Sequence, residues 1–302
     1  GAYHGHTSSL IDISPYKFYG PGGSGKQDFV HVIPVPDVFR GEHTLKGVKP
    51  EQYYADLIKK TITKIRQKGK RLAFFIVEPI MGCSGQIILP ASFMIEAFKS
   101  VKEAGGLCIV DEVQIGFGRV GSHFWGFEMS GVIPDIITIG KSIGNGHTLS
   151  VVITKKNIAE VFNNGMEYFN SFGGNPVSCE IGQTVLDIIK EEDLQTNAYE
   201  TGNYLLSGLK DLKNKHNIIG DVRGSGLFIG VELIKNYESM HPASDETELV
   251  VNQMKQKGVL ISSDGPDHNV LKIKPPLVFN KNNADYLLES LDAVMIENSF
   301  RV

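Results

Sequence analysis

Two ionisable residues of opposite charge each follow a short apolar run in the sequence. Asp111 comes directly after the run LCIV, and Lys141 comes after IITI and one glycine. A lysine at a strand end, partly removed from water, can have its pKa lowered and act as an amine nucleophile. An aspartate there is as often a helix cap or ion-pair partner, and most lysines are solvated, so neither residue alone indicates an active site.

The combination of the two residues is more informative than either one. Parallel strands end at the same edge of a sheet, where ligands bind, so we expect Asp111 and Lys141 at one crevice. A Schiff-base lysine and an aspartate beside a ring nitrogen are the protein groups of pyridoxal phosphate chemistry. The carboxylate keeps that nitrogen protonated because an opposite charge favours the charged form. The pair predicts pyridoxal 5′-phosphate as a cofactor, whereas Glu112 is expected to point elsewhere and be structural.

The surrounding segments alternate between strand and helix patterns, which is typical of βαβ units. Strands are predicted at 72–77, 107–110, 136–139 and 149–154, with a helix over 91–104. This predicts an α/β fold with a mostly parallel sheet and helices on both faces.

The chain changes character after residue 175. Two helical stripes come first, followed by strands predicted at 218–223, 227–233 and 270–273 and a closing helix near 282–296. We therefore expect a large cofactor-binding domain over 1–187 and a smaller C-terminal α+β domain over 188–302. Residues 15–50 are expected to be a long loop, which is usually functional or mobile.

Composition excludes several classes of protein. The 302 residues are 41% hydrophobic and 21% charged, as in globular soluble chains, and the net charge of −4 gives no basic field for nucleic acid. No apolar run approaches the roughly 18 residues that span a bilayer. The three scattered cysteines argue for a reducing compartment and against a disulfide framework. Because the chain does not start with methionine, we expect its true N-terminus to be missing and any targeting segment not to be visible.

Two local patterns are poor matches to known sites. GPGGSGKQ (20–27) has most of a phosphate-binding P-loop, but Gln27 replaces the Ser or Thr that binds magnesium, and no helix pattern follows. His4 and His6 could share one face of a strand, yet no third ligand lies at a recognisable spacing. We expect neither a nucleotide site nor a metal site here.

Longer motifs resemble a known family. DEVQIGFGRVG, PDIITIGKSIGNGH, FGGNPVSC and VRGSGLFIGVEL are similar to class III pyridoxal-phosphate aminotransferases of fold type I. AYHGHTSSLIDISPYKF, EYFNSFGGNPVSC and SSDGPDHNVLKIKPP resemble in particular the phospho-lyase branch, once named alanine–glyoxylate aminotransferase 2-like. The match runs in order through essentially the whole chain. Members of that branch act on phosphoethanolamine or 5-phosphohydroxylysine, and the relatives suggest an intracellular location, in the mitochondrion or cytosol.

The resemblance implies a role for each matching residue. Lys141 would form the Schiff base and move the proton, and Asp111 would pair with the pyridinium nitrogen. Gln114 would hydrogen-bond the ring hydroxyl, Tyr3 would stack on the ring face, and Glu78 would line the site.

The resemblance also implies a homodimer with shared active sites. Ser171 stands where the family usually has threonine, and would donate its hydroxyl to the cofactor phosphate of the neighbouring subunit. The family's own phosphate-binding loop lies upstream of Tyr3, so we expect the cofactor site of this chain to be incomplete.

Two departures from the family bear on the substrate. Lys272 replaces an arginine that grips a substrate carboxylate with a bidentate fork, which a lysine cannot copy, and Cys83 replaces a frequent glutamate. Both favour a phospho-lyase, with Lys272 and Arg40, and also Lys274 and Lys17, as candidates to neutralise the substrate phosphate. A class III ω-aminotransferase is the alternative, and a non-catalytic subunit that only dimerises is a third interpretation.

Overall fold

The computed structural model describes residues 1–41, 50–298 and 300. Within these ranges the helices are α1 (Ser8–Ile13), α2 (Pro15–Phe18), α3 (Pro50–Gln67), α4 (Ala91–Glu103), α5 (Lys156–Phe162), α6 (Pro176–Glu191), α7 (Leu194–Lys215), α8 (Ser244–Gln256) and α9 (Lys281–Asn298). The strands are β1 (Phe74–Val77), β2 (Ile80–Met81), β3 (Ile87–Ile88), β4 (Leu107–Asp111), β5 (Ile136–Ile139), β6 (Val151–Thr154), β7 (Ile219–Ser225), β8 (Phe228–Leu233), β9 (Ser262–Asp264) and β10 (Val270–Ile273). Short 3₁₀ helices cover Gly126–Ser130 and Lys141–Ile143.

The first sheet has the order β1-β4-β5-β6 and is mixed. β1, β4 and β5 run parallel, with Val77 opposite Val110 and Val110 opposite Ile137. β6 runs antiparallel to β5, so the sheet is mostly parallel, as predicted, with one antiparallel strand at its edge. Residues 140–150, between these two strands, hold only a 3₁₀ helix. A parallel return needs a crossover of about a dozen or more residues, usually a helix.

Helices α3 and α4 pack against this sheet. Ile58 and Ile62 of α3, Met94 and Phe98 of α4, and Val110 of β4 belong to one buried cluster. The predicted helix over 91–104 is therefore present as α4. The sequence reasoning missed α3, although its two isoleucines lie one turn apart on the buried face.

A second sheet, of order β7-β8-β10-β9, is antiparallel and has its own core. Leu205 and Leu209 of α7, Val231 of β8, and Leu291 of α9 lie in that cluster. This is the α+β arrangement expected for the C-terminal part. The proposed boundary at 187–188 falls inside the continuous helix α6, so the division is better drawn between α6 and α7, and it stays a prediction.

The predicted loop over 15–50 is only partly a loop. It begins with α2 and is irregular from residue 19 to 41, while residues 42–49 lie outside the described part. GPGGSGKQ lies in this irregular stretch. Among the described helices, none is long and apolar enough to cross a membrane.

Candidate active site

The carboxyl ends of three neighbouring strands carry the predicted site residues. Glu78 and Asp111 each follow the paired residues Val77 and Val110, so they lie side by side. Lys141 opens the 3₁₀ helix that comes directly after β5 and Gly140. One edge of the sheet therefore carries two carboxylates and an amine, as the parallel pairing requires.

Asp111 is buried and held by specific hydrogen bonds. Its Oδ2 lies 2.9 Å from Nδ1 of His4, and its Oδ1 accepts a 3.1 Å hydrogen bond from the main-chain N–H of Val113. The main chain of His4 is itself fixed, since its N–H donates to Oγ of Ser14 at 3.0 Å. His4 was considered above only as a metal ligand, and its position against Asp111 follows from tertiary packing. No cluster of three or more potential metal ligands occurs in the described ranges.

Glu78 ties the N-terminal segment to the sheet. One oxygen accepts from the main-chain N–H of Tyr3 and the other from that of Gly82, both at 3.2 Å. Burial, aided by the negative charge of Asp111, raises the pKa of Glu78 to about 6. The ring of Tyr3 is thereby held near the sheet edge, where Nζ of Lys17 lies 5.5 Å from its centroid.

Lys141 carries a free amine. Its side chain is exposed, and within the described part of the chain it has no ion pair or hydrogen bond. The residue lies in the 3₁₀ helix beyond the strand, which leaves its side chain exposed. Its φ of 41° is in the left-handed region, which is uncommon for a residue other than glycine and is frequent at functional sites.

Gln114 links this edge to the second sheet. Its Oε1 accepts a 3.1 Å hydrogen bond from Nζ of Lys274. Gly82 packs so closely that a Cβ there would lie 2.5 Å from Nε2 of Gln114. The role of Gln114 toward a ring hydroxyl stays a prediction.

Positive charge accumulates beside Gln114. Lys274 also lies over the ring of Phe228, with Nζ 5.6 Å from the centroid. Burial, together with the charges of Arg119, Lys141 and Lys272, lowers the pKa of Lys274 to about 7. Sequence reasoning named Lys274 only in passing, although its spacing of two from Lys272 places both lysines on one side of the chain.

Arg119 adds a buried cation next to the half-buried Lys274. It is 8% exposed, and its guanidinium donates to the main-chain carbonyls of Leu227 at 3.1 Å and Pro275 at 2.7 Å. Burial lowers its pKa to about 10. In the part of the chain that the structure describes, neither Arg119 nor Lys274 has a carboxylate within ion-pair distance.

The two tentative substrate cations are already paired. Nζ of Lys272 lies 2.8 Å from Oδ2 of Asp264. The guanidinium of Arg40 contacts Glu232 and lies 3.1 Å from Oδ2 of Asp267. Since the charge of Arg40 is matched by carboxylates of the second sheet and its connections, the structure does not support its assignment to a substrate phosphate.

The remaining predicted residues lie away from this group. Ser171 is exposed in the irregular segment before α6, and its role stays a prediction. Glu112 turns away from Asp111, as expected, and accepts 2.9 Å hydrogen bonds from the main-chain N–H groups of Gly126 and Phe127 at the start of a 3₁₀ helix. Cys83 has its pKa raised to about 11 by burial and by the charges of Glu78 and Asp264.

These groups fit pyridoxal phosphate. A buried carboxylate suits a protonated ring nitrogen, an unpaired amine suits covalent attachment, and an aromatic side chain can cover the ring. Asp111, Lys141 and Tyr3 are the residues that would hold the ring.

Comparison with known proteins agrees with this chemistry. Alanine–glyoxylate aminotransferase 2-like from Drosophila melanogaster is 48% identical, over 98% of this chain and 62% of its own length. Ethanolamine-phosphate phospho-lyase homolog 1 from Caenorhabditis elegans is 39% identical, over 97% of this chain and 66% of its own length. A phospholyase from Arthrobacter, solved in complex with phosphoethanolamine, superposes with a TM-score of 0.91 and 34% identity, covering 98% of this chain and 69% of that one.

This chain thus spans about two thirds of the length of these relatives. The family model described as aminotransferase class III matches residues 1–295. The fold is that of the type I pyridoxal-phosphate enzymes, and the family implies pyridoxal 5′-phosphate as the cofactor. The sheet edge, the residues at it and the matching family model lead to one conclusion: the chain belongs to the class III aminotransferases.

Proposed function

We propose that the protein is a phospho-lyase that uses pyridoxal phosphate to release phosphate and ammonia from a phosphorylated primary amine. The observation that carries this proposal is the half-buried amine of Lys274, which among the described residues contacts only the neutral side chains of Gln114 and Phe228. A cation that is partly removed from water and has no paired carboxylate is costly, and a phosphate would supply the missing charge. The named relatives from Caenorhabditis and Arthrobacter support the same substrate class.

Lys141 and Lys274 would act at different steps of the reaction. When bound, pyridoxal phosphate supplies an electron sink for the carbon that carries the substrate nitrogen. Lys141 would take the proton from that carbon. The carbon–oxygen bond to the phosphate would then break with its electron pair on oxygen, and the ammonium group of Lys274 would neutralise the departing phosphate. With one water, the products are an aldehyde, ammonia and phosphate.

An assay without a keto acid tests the proposal. The holoenzyme should convert phosphoethanolamine into equal amounts of phosphate and aldehyde with no amino acceptor present. Lys274→Met should weaken inhibition by inorganic phosphate by about 10- to 100-fold, the value of a hydrogen bond between charged groups. Lys156→Met, at an exposed site on α5, is the matched control. Turnover that requires a keto acid and releases no phosphate would instead establish the alternative, a class III ω-aminotransferase.

We further propose a homodimer with shared sites. Large apolar side chains are exposed around Ser171: Val161, Phe162, Met166, Tyr168, Phe169, Phe172 and Val177. Contiguous exposed apolar surface of this kind marks an interaction site. A second copy covering it would bring the Ser171 hydroxyl to the neighbouring cofactor phosphate. Sedimentation of the holoenzyme should show a dimer that Phe169→Asp dissociates, and a monomeric wild-type holoenzyme would contradict this.

The compartment, mitochondrion or cytosol, stays a prediction.

A further inference from the structure

Lys272 and Lys274 lie two residues apart but have opposite electrostatic surroundings. Nζ of Lys272 lies 2.8 Å from Oδ2 of Asp264, and both side chains are less than one fifth exposed. Lys274 instead meets the amide oxygen of Gln114 and the ring of Phe228. One lysine is therefore neutralised by a carboxylate, while the other remains available to an anion.

Asp264 is fixed in its position. It ends β9, where its Cα lies opposite that of Val270. Its Oδ2 also accepts a 2.8 Å hydrogen bond from Nε2 of Gln86, a fully buried residue whose side chain donates as well to the main-chain carbonyl of Gly82. The carboxylate cannot turn away from Lys272 without leaving the buried Gln86 amide short of a partner, which is costly.

The pair adjoins the site of the proposed reaction. Gln86, which donates to Asp264, also donates to the main-chain carbonyl of Gly82. Gly82 in turn lies between two residues of the site, since its N–H donates to Glu78 at 3.2 Å and its Cα packs against Gln114. A substrate carboxylate that reached Lys272 would have to displace Asp264 and would be repelled by it.

We propose that Asp264 is a specificity-determining residue that excludes carboxylate-bearing amines by holding Lys272 neutralised. This inference rests on the proposed function and deepens it. The substrate class is then a phosphorylated primary amine without a carboxylate, such as phosphoethanolamine. 5-Phosphohydroxylysine, which carries an amino-acid carboxylate, is disfavoured.

Asp264→Asn tests the proposal with little change of shape, because the asparagine oxygen can still accept from Gln86. We would measure kcat/KM of the holoenzyme for phosphoethanolamine and for 5-phosphohydroxylysine. The substitution should shift their ratio toward 5-phosphohydroxylysine by about 10- to 100-fold, since it frees a charged donor. The double variant Asp264→Asn with Lys272→Gln should return the ratio to that of the wild type. Asp267→Asn, which removes an acid that pairs with Arg40, is the matched control.

A binding measurement separates this proposal from the proposed function. The dissociation constant of β-alanine, an amine with a carboxylate and no phosphate, should fall by a similar factor in Asp264→Asn whether or not the wild type releases phosphate. Unchanged β-alanine affinity and an unchanged substrate ratio, in a variant with wild-type thermal stability, would overturn the role of Asp264. Absence of phosphate release by the wild type, with tighter β-alanine binding by the variant, would overturn only the lyase proposal.

Discussion

The carboxyl ends of β4 and β10 bring charges of opposite sign to one site and stabilise them differently. Asp111, at the end of β4, is buried beside His4 and accepts from the main-chain N–H of Val113. The two lysines at the end of β10 differ from each other, since Lys272 has a carboxylate partner and Lys274 has none among the described residues. The β4 end is therefore suited to a cofactor that stays bound, whereas the β10 end leaves one cation available to a substrate that binds and dissociates.

The largest effect is expected at Lys141, which follows β5 and lies at the same sheet edge as the end of β4. Lys141→Ala should remove the visible absorption of the lysine-linked cofactor and lower turnover by about 10²- to 10⁴-fold, the usual value of a positioned proton-transfer group. Lys156→Ala, at an exposed surface site, should leave both unchanged. An unaltered absorption band in Lys141→Ala would contradict the assignment of the lysine.

The next effect tests whether the β10 side also uses Arg40 for binding. Arg40→Met should lower the free energy of unfolding by about 1–3 kcal/mol, because it removes one of the two arginine partners of the buried Glu232 carboxylate, which Arg223 still pairs. The KM for phosphoethanolamine should stay at the wild-type value. Urea denaturation and steady-state kinetics measure the two quantities. A variant with wild-type stability and a raised KM would instead show that Arg40 contributes to substrate binding.

Two adjacent acids at the end of β4, Asp111 and Glu112, are expected to have different roles, one in turnover and the other in stability. Asp111→Asn should lower turnover by about 10- to 1000-fold, since an adjacent carboxylate raises the pKa of a cation by about 1–3 units. Glu112→Gln should instead cost about 1–3 kcal/mol of stability, because it leaves a buried N–H of the 3₁₀ helix without an acceptor. Its turnover should be normal. Equal effects of both changes on the cofactor spectrum would show that the two acids are not divided in this way.

The smallest effect concerns the pH dependence of the β10 end. With its pKa lowered to about 7, Lys274 loses its charge as the pH rises above 7, and phosphate binding should weaken there. Lys274→Arg stays charged over this pH range. Dividing the wild-type inhibition constant by that of the variant therefore removes the titration of phosphate and of the other site groups, which both proteins share. The ratio of wild-type to Lys274→Arg inhibition constants for phosphate should rise by up to about tenfold per pH unit between pH 7 and 9. A flat ratio would mean that Lys274 does not contact the anion.

Much of the β4 end could be predicted because it depends on local order along the chain. Apolar runs that stop at Asp111 and just before Lys141 determine both the strands and the residues at their ends. The same logic succeeded for β10, whose predicted range 270–273 is the observed one. It also located β6, which lies within the predicted range 149–154, but it did not give the antiparallel direction of that strand, because direction depends on the connection rather than on the apolar run itself.

By itself, the sequence determined the α/β fold, the family and the cofactor, and it led to the residues proposed to meet the cofactor ring, since all of these depend on apolar runs and on motifs of adjacent residues. Only the tertiary structure decided which cations are available. Arg40 meets Glu232, and Lys272 meets Asp264, while Lys274 meets, among the residues that the structure describes, a neutral amide and an aromatic ring. The physical reason is that a charge is cancelled by whatever lies a few ångströms away in space, and those neighbours come from distant parts of the chain.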